Sequence, residues 1–254
     1  MKKQLIALGL ALVFAGAGCT TPPPPKKPAY TDAYYYEKAL GLFKARNFIE
    51  AVPAFEELRD KFPLSPYAVL AELRLGEAHY HQDQFIEATH YFENFRRLHP
   101  TNPQVPYSIY MTGMCHYQQI LSIDRDQTFA EAALEQFQQL VDLYPRSPYA
   151  GPALCKIAEI KKHLAQHECF VGNFYLRTRN YKGAIERFNK VLRQYPLHIE
   201  QDKVLFLIAD ATTRSGDALR GAKILEYLIA TYPESPYARE ARKKLGTQPQ
   251  APQP

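Results

Sequence analysis

His163 and His167 stand four residues apart in HLAQH, a spacing that puts two imidazoles on one helical face within reach of a single zinc ion. A hydrolytic zinc site also needs a third ligand and a carboxylate general base. Leu164 stands where that glutamate would follow the first histidine, and no third ligand is apparent. The pair is expected to lie on an exposed helix face, without metal. His79 and His81 are two residues apart and would point to different sides of a helix. The chain has no nucleophile elbow, no phosphate-binding glycine loop and no Cys-x-x-Cys pair, so neither an enzyme nor a cofactor is expected. Cys155 and Cys169 fall on one predicted helix, roughly 21 Å apart, which excludes a disulfide between them. Cys115 remains able to pair with either, but all three are expected to be buried free thiols.

The fourth cysteine, Cys19, has a different setting. Lys2 and Lys3 precede an apolar run, Leu5 to Phe14, too short to span a bilayer comfortably. Gly16-Ala17-Gly18 then leads into Cys19 and the proline-rich TTPPPPKKP. This order resembles a bacterial lipoprotein signal, in which Cys19 becomes the lipidated first residue. Residues 1–18 read as the signal peptide and 19–31 as lipidated cysteine and extended tether. Residues 246–254, GTQPQAPQP, have nothing to bury and are expected to be disordered. Between them, 46% hydrophobic and 22% charged content suits a folded body. A net charge of +5 is too mild to suggest nucleic acid as a partner.

The elements are set by a repeated heptapeptide: FPLSPYA from Phe62, YPRSPYA from Tyr144 and YPESPYA from Tyr232. Its first proline stops a helix; serine and the second proline cap and start the next. The stop prolines, Pro63, Pro100, Pro145, Pro196 and Pro233, are separated by 37, 45, 51 and 37 residues. Before each lies a trio on one helical face: Ala51/Phe55/Leu58, Ala88/Phe92/Phe95, Ala133/Phe137/Leu140, Ala184/Phe188/Val191 and a degenerate Gly221/Leu225/Leu228. Gly76 and Gly172 fall twelve residues before Ala88 and Ala184, marking a close approach by an earlier antiparallel helix. The pattern resembles the tetratricopeptide repeat. It implies an all-α superhelical array of five tetratricopeptide-like hairpins over residues 32–245. Gly113 lies 20 residues before Ala133, so eight extra residues enter hairpin three near ILSIDRDQT. The 51-residue gap lengthens the first helix of hairpin four, from about Pro152 to Arg177. Pro53 should kink its helix.

In repeats of this type the first helices line a groove. That resemblance puts Tyr36, Leu40 and Phe43 on the groove wall, beside Arg74, Glu77, Tyr80 and His81. Such a surface suits an extended peptide, with packing between neighbouring helices as the competing reading. Arg177, Arg179, Lys182 and Arg187 cluster near the turn of hairpin four, either as a solvated face or as a seat for acidic groups.

Two stretches narrow the resemblance: DRDQTFAEAALEQFQQLVDLYPRSPYA and LAQHECFVGNFYLRTRNYKGAIERFNKVLRQYP. With the lipoprotein signal and tether, they resemble the BamD (ComL-like) outer-membrane assembly lipoproteins. This implies a non-enzymatic role on the periplasmic face of the outer membrane, anchored by lipid. The implied partners are the POTRA domains of BamA and unfolded outer-membrane β-barrel proteins. Substrate would be received by the N-terminal repeats and BamA by the repeat-four region holding Arg177, Arg179 and Arg187. Thr20 after the cysteine offers no aspartate-type inner-membrane retention signal, in keeping with that location. The alternative is another periplasmic repeat lipoprotein, scaffolding division or peptidoglycan synthesis. Mass spectrometry of the mature N-terminus is expected to find residue 19 acylated and first; an unmodified Cys19 or cleavage elsewhere would refute the anchor.

Overall fold

The computed structural model describes residues 30–246; the signal peptide, Cys19, nearly all of the tether and all but the first residue of the tail lie outside them. Among the described residues there are eleven α-helices. The first helices of the five hairpins are α1 (Asp32–Lys44), α3 (Pro66–Tyr80), α5 (Val105–Gln118), α7 (Ala150–Arg177) and α9 (Gln201–Arg214). Their partners are α2 (Phe48–Lys61), α4 (Phe85–Leu98), α6 (Thr128–Leu143), α8 (Tyr181–Gln194) and α10 (Ala218–Thr231). A final helix, α11 (Pro236–Leu245), packs on α10 and α9 and caps the last hairpin. Each helix packs chiefly against its sequence neighbours, as expected of a one-dimensional repeat array.

The packing rests on one contact repeated along the array. A Cβ added to Gly76 would lie 2.8 Å from the ring of Phe92. For Gly113 and Phe137 the distance is 2.7 Å, and for Gly172 and Phe188 it is 2.6 Å. Each ring therefore lies against bare backbone of the first helix, where any side chain would collide. All members of the first four apolar trios are fully buried, as is Leu228 in the fifth. In hairpin one, Ala39 takes the glycine position opposite Phe55. In hairpin five, Ala209 takes it, and the smaller Leu225 replaces phenylalanine.

The junctions follow from local sterics. The residue before each stop proline has φ between −128° and −134°, where Phe62, His99, Tyr144, Tyr195 and Tyr232 end their helices. A following proline disfavours the α-region at this position, so the helix stops there. Ser65 and Ser235 accept hydrogen bonds from the N–H groups of Tyr67 and Tyr237. Their hydroxyls also donate, at 2.6 Å, to Asp32 and Asp202 in the first turns of the preceding first helices. One side chain thus caps a helix and ties successive hairpins. In the middle heptapeptide Ser147 accepts from Tyr149 N–H at 3.3 Å, yet regular helix begins only at Ala150. Turns within hairpins use a left-handed residue before the second helix: Arg46, Asp83, Arg179 and Gly216, with φ of 59°, 58°, 63° and 104°.

The two irregularities occur together. Residues 119–127 form the connection that lengthens hairpin three, with Gln127 Nε2 donating to the carbonyls of Ser122 and Arg125. The 28-residue α7 packs on both α6 and α8. Helix α2 runs as one helix through Pro53.

Two glycines of α7 give opposite expectations. Gly172→Ala should destabilise the fold by about 1–3 kcal/mol through overpacking against Phe188. Gly151→Ala, with nothing within 4 Å of the new methyl, should be neutral or stabilise by up to about 1 kcal/mol. Thermal melts of the two variants check both; equal effects would refute the packing account.

Candidate functional site

The first-helix residues expected to line a groove separate into two groups. Tyr36 and Glu77 are buried, at 8% and 7% exposure, and so are corrected from groove wall to core. The Tyr36 ring sits 5.1 Å from Tyr67 and 6.0 Å from Phe55, between α2 and α3. The Glu77 carboxylate accepts from Arg74 at 2.5 Å and from the Tyr107 hydroxyl at 2.5 Å. Burial lowers the Arg74 pKa, but the charge and hydrogen bond of Glu77 outweigh it and raise it overall. Burial, reinforced by the Glu77 charge, pushes the Tyr107 phenol well above its usual range. This arrangement joins α3 to α5 and is spent on the fold.

The second group reaches solvent. Leu40, Phe43, Arg74 and Tyr80 are half-buried and His81 is exposed. His81 stacks on Phe48, with centroids 4.8 Å apart. Phe43 lies 5.3 Å from Phe48 and 6.1 Å from His81. The Arg74 guanidinium stands 5.5 Å from the Phe43 centroid, and Tyr80 packs 5.5 Å from Phe85. Phe48 and Phe85 were missing from the sequence-based set. Both follow the left-handed turn residue, in RNF and DQF, so an aromatic after the turn was a usable signal.

The aromatic surface continues beyond the two N-terminal hairpins. Gln118 Nε2 donates to the Tyr80 hydroxyl at 2.9 Å. Next to it, the Tyr117 hydroxyl donates to Glu159 at 2.6 Å, and Lys156 lies 4.2 Å from the Tyr117 centroid. An open groove of about 660 Å³ runs between the end of α5 and α7, lined by Tyr117, Gln118, Leu121, Glu159, His163 and Gln166 among others. Tyr107 and Tyr110 both contact Tyr149, at 5.2 and 5.6 Å. The steps of three and seven residues between Tyr107, Tyr110 and Tyr117 were the overlooked sign of one helical face.

The histidine pair and the thiols have structural settings. His163 and His167 are half-buried rather than exposed, and His167 Nδ1 is 2.7 Å from the Ile123 carbonyl oxygen. They hold the long connection of hairpin three against α7. Among the described residues no group of three or more His, Cys, Asp or Glu is arranged to hold a metal ion. Cys115, Cys155 and Cys169 are free. Burial pushes the Cys115 thiol up to about 12 and Cys169 up to about 11. Cys155 is exposed, contrary to the expectation of burial, because it falls on the outer side of α7.

In hairpin four, Arg177 and Arg179 are exposed, and Arg179 is also a left-handed turn residue. Arg187 differs from the sequence-based picture. Its Nη1 donates at 2.9 Å to Glu168, a carboxylate of the same chain that is only 4% exposed. Lys190 Nζ donates to the other oxygen at 2.5 Å. The trio carries one net positive charge and joins α7 to α8. Burial raises the Glu168 pKa, but the hydrogen bonds from Lys190 and Arg187 outweigh it, and the net shift is downward. The sequence placed Arg187 off the apolar face but gave no sign that α7 would supply its carboxylate.

The geometry defines an all-helical repeat array with an aromatic first-helix face and a basic turn in hairpin four. The family model described as YfiO, outer membrane lipoprotein, matches residues 28–220, and the chain belongs to that family. It is 32% identical over 184 residues to outer membrane protein assembly factor BamD of Caulobacter vibrioides, covering 71% of this chain and 60% of that relative. It is 29% identical to the same-named protein of Vibrio cholerae serotype O1, covering 90% of this chain and 99% of that one. Among solved structures, the P58(IPK) TPR domain is similar at 12% identity and a TM-score of 0.45, covering 83% of this chain and 54% of that one.

Glu168→Gln should cost at most the lower end of the about 3–5 kcal/mol seen when one member of a buried pair is removed, because Arg187 and Lys190 are about a third exposed. A depressed folded-state pKa means that Glu168 stabilises the fold above its unfolded pKa, and that this contribution fades as pH falls through the folded value. The melting difference between parent and Glu168→Gln should therefore narrow on acidification. A difference that stays constant down to the acid limit of folding would refute this role.

Proposed function

We propose that this chain is a lipid-anchored outer-membrane assembly factor that receives unfolded β-barrel proteins on its first-helix face and is held to BamA through hairpin four. The supporting observation is the aromatic surface running from Phe43, Phe48 and His81 through Tyr80 and Gln118 to Tyr117, in a member of an outer-membrane lipoprotein family. Rings offer apolar area with little loss of rotamer entropy, and interleaved Gln and Tyr groups offer hydrogen bonds to a peptide backbone. Such a surface accepts many sequences, which suits an unfolded client. The role is that of a non-enzymatic scaffold. The palmitoylated and diacylated Cys19 expected of a bacterial lipoprotein would supply more than one acyl chain, enough for stable attachment to the periplasmic face of the outer membrane.

The binding set is revised by the geometry. Leu40, Phe43, Phe48, Tyr80 and His81 form the receiving surface; Tyr36, Arg74 and Glu77 shape it from behind. In hairpin four, the exposed Arg177 and Arg179 offer charge to BamA carboxylates. Arg187 contributes through the net positive charge it shares with Lys190 and Glu168.

A photoreactive residue at position 80 should crosslink to unfolded β-barrel protein, whereas one at exposed position 227 on α10 should not. Crosslinks confined to the C-terminal hairpins would overturn the assignment. Replacing Arg177 and Arg179 together by Glu should slow association with the POTRA domains on the order of tenfold at low salt, with the difference shrinking as salt is added. Unchanged association would return both arginines to solvated surface charge. Arg187→Ala is a poorer probe, because it also strips a partner from buried Glu168 and should lower the melting temperature.

A further inference from the structure

A second open groove, also of about 660 Å³, runs along the solvent side of α6. Its buried floor is Leu164 of α7 and Tyr195 at the end of α8, and Leu134 and Leu143 of α6 add apolar wall. Glu131, Glu135 and Asp142 line it from the same helix. Asp142 accepts from Gln138 at 2.9 Å, while the carboxylates of Glu131 and Glu135 have no hydrogen bond or ion pair among the described residues. Lys161 is the one cation among the lining residues, so three carboxylates against it leave a net charge of −2. The groove exists because α7 is long. The packing glycine falls 10 residues after the start of α3 and 8 after the start of α5, but Gly172 falls 22 after the start of α7. About the first twelve residues of α7, roughly 18 Å of helix, therefore have α6 beside them and no second helix of their own hairpin. Leu154, 53% exposed, stands on that uncovered stretch.

Charge is divided unevenly along the array. Residues 32–143 contain 9 Lys and Arg against 16 Asp and Glu, a net −7; residues 144–245 contain 18 against 10, a net +8. The basic half carries a surface of the kind an acidic, apolar groove would accept. On α10, Leu219, Lys223 and Tyr227 recur every four residues along one face, with Arg220 beside Leu219. All four are exposed, Leu219 at 81% and Tyr227 at 58%. This face spans about 12 Å, within the roughly 18 Å from Glu131 to Leu143 on α6. The exposed aliphatics at the turns of hairpins one and two do not match the groove: Ile49 and Ile86 are followed by Glu50 and Glu87, where Leu219 is followed by Arg220.

We propose that the α10 face of one copy docks in the α6–α7 groove of a second copy, with Leu219 and Tyr227 on the apolar floor and Arg220 and Lys223 against Glu131 and Glu135. Glu226, the carboxylate beside Tyr227, then has Lys161 as its counterpart. Face and groove lie on different elements, so the contact is head-to-tail, and each pair keeps one groove and one α10 face for further copies. Opposite charge across the contact steers the copies together and makes the association weaken with salt. Neither surface contains a residue of the aromatic receiving face.

Two differently tagged full-length copies, one with a photoreactive residue at position 227, are produced together and irradiated in their own membranes. A product of twice the mass carrying both tags should form, with its crosslinked peptide drawn from residues 131–143 or 161–164. Glu131→Lys with Glu135→Lys in the second copy should cut the yield about tenfold. Both glutamates are exposed and unpaired, so the fold loses no contact. Adding Arg220→Glu with Lys223→Glu to the photoreactive copy should restore the yield, a recovery that a misfolded variant could not give. No product with both tags overturns the proposal, as does one crosslinked outside α6 and α7. A yield indifferent to the charge reversals, or not restored by the exchange, does the same. Crosslinks from position 227 to other proteins or to lipid alone would assign the face to a different occupant and equally overturn docking between copies.

Discussion

An aromatic ring laid against the backbone of a glycine is the contact on which this architecture depends. Phe92, Phe137 and Phe188 each occupy the space a side chain would need at Gly76, Gly113 and Gly172. The glycine carries an entropic cost in mid-helix, and the fully buried ring offsets it by filling the space between helices. Because the same contact recurs, the angle within each hairpin is set locally, and the next hairpin is placed on an equivalent surface. Hairpins one and five keep the volume balance by other means, Ala39 opposite Phe55 and Ala209 with Leu225. The ends of the array thus depart from the pattern while still closing the interhelical space.

Given that fixed contact, irregular segments must be accommodated outside it. The long connection of hairpin three leaves Gly113 against Phe137 and folds over residues 119–127, where Gln127 ties its carbonyls together. The lengthened α7 supplies His167 to hold the Ile123 carbonyl. The extra residues of one hairpin are therefore braced by the extra length of the next helix. The same two segments create the groove between Tyr117 and His163, which a strictly periodic array would lack.

The fold was largely legible because its determinants are local. Proline acts on the residue before it, serine on the N–H two residues ahead, and apolar spacing reveals each buried trio. What escaped notice depended on packing between elements. Tyr36 and Tyr80 look alike in sequence, but only Tyr36 is enclosed, by Phe55 and Tyr67 from two other helices. Arg187 was correctly read as lying off the apolar face, yet its carboxylate comes from 19 residues earlier, on α7. The link from Ser65 to Asp32 likewise joins residues 33 apart. Periodicity reports which face a side chain is on; it does not report which groups already satisfy it.

That distinction separates scaffold from binding surface. Arg74, Glu77 and Tyr107 combine a cation, an anion and a hydroxyl in a largely buried setting, where removing Glu77 takes a shared partner from both of the others. Such a set resists rearrangement, so it fixes the spacing of α3 and α5 rather than adapting to a ligand. Phe43, Phe48 and His81 instead meet through ring faces and edges, contacts that are weaker and tolerant of small displacement. A surface for unfolded chains needs both properties: fixed helix spacing, so that each client segment meets the same depth, and adaptable rings on top, so that no particular sequence is required. Ordered this way along α1, α3 and α5, the polar network sits beneath the rings, and on the proposed reading the rigidity of the repeat array would be what lets that face stay unspecific.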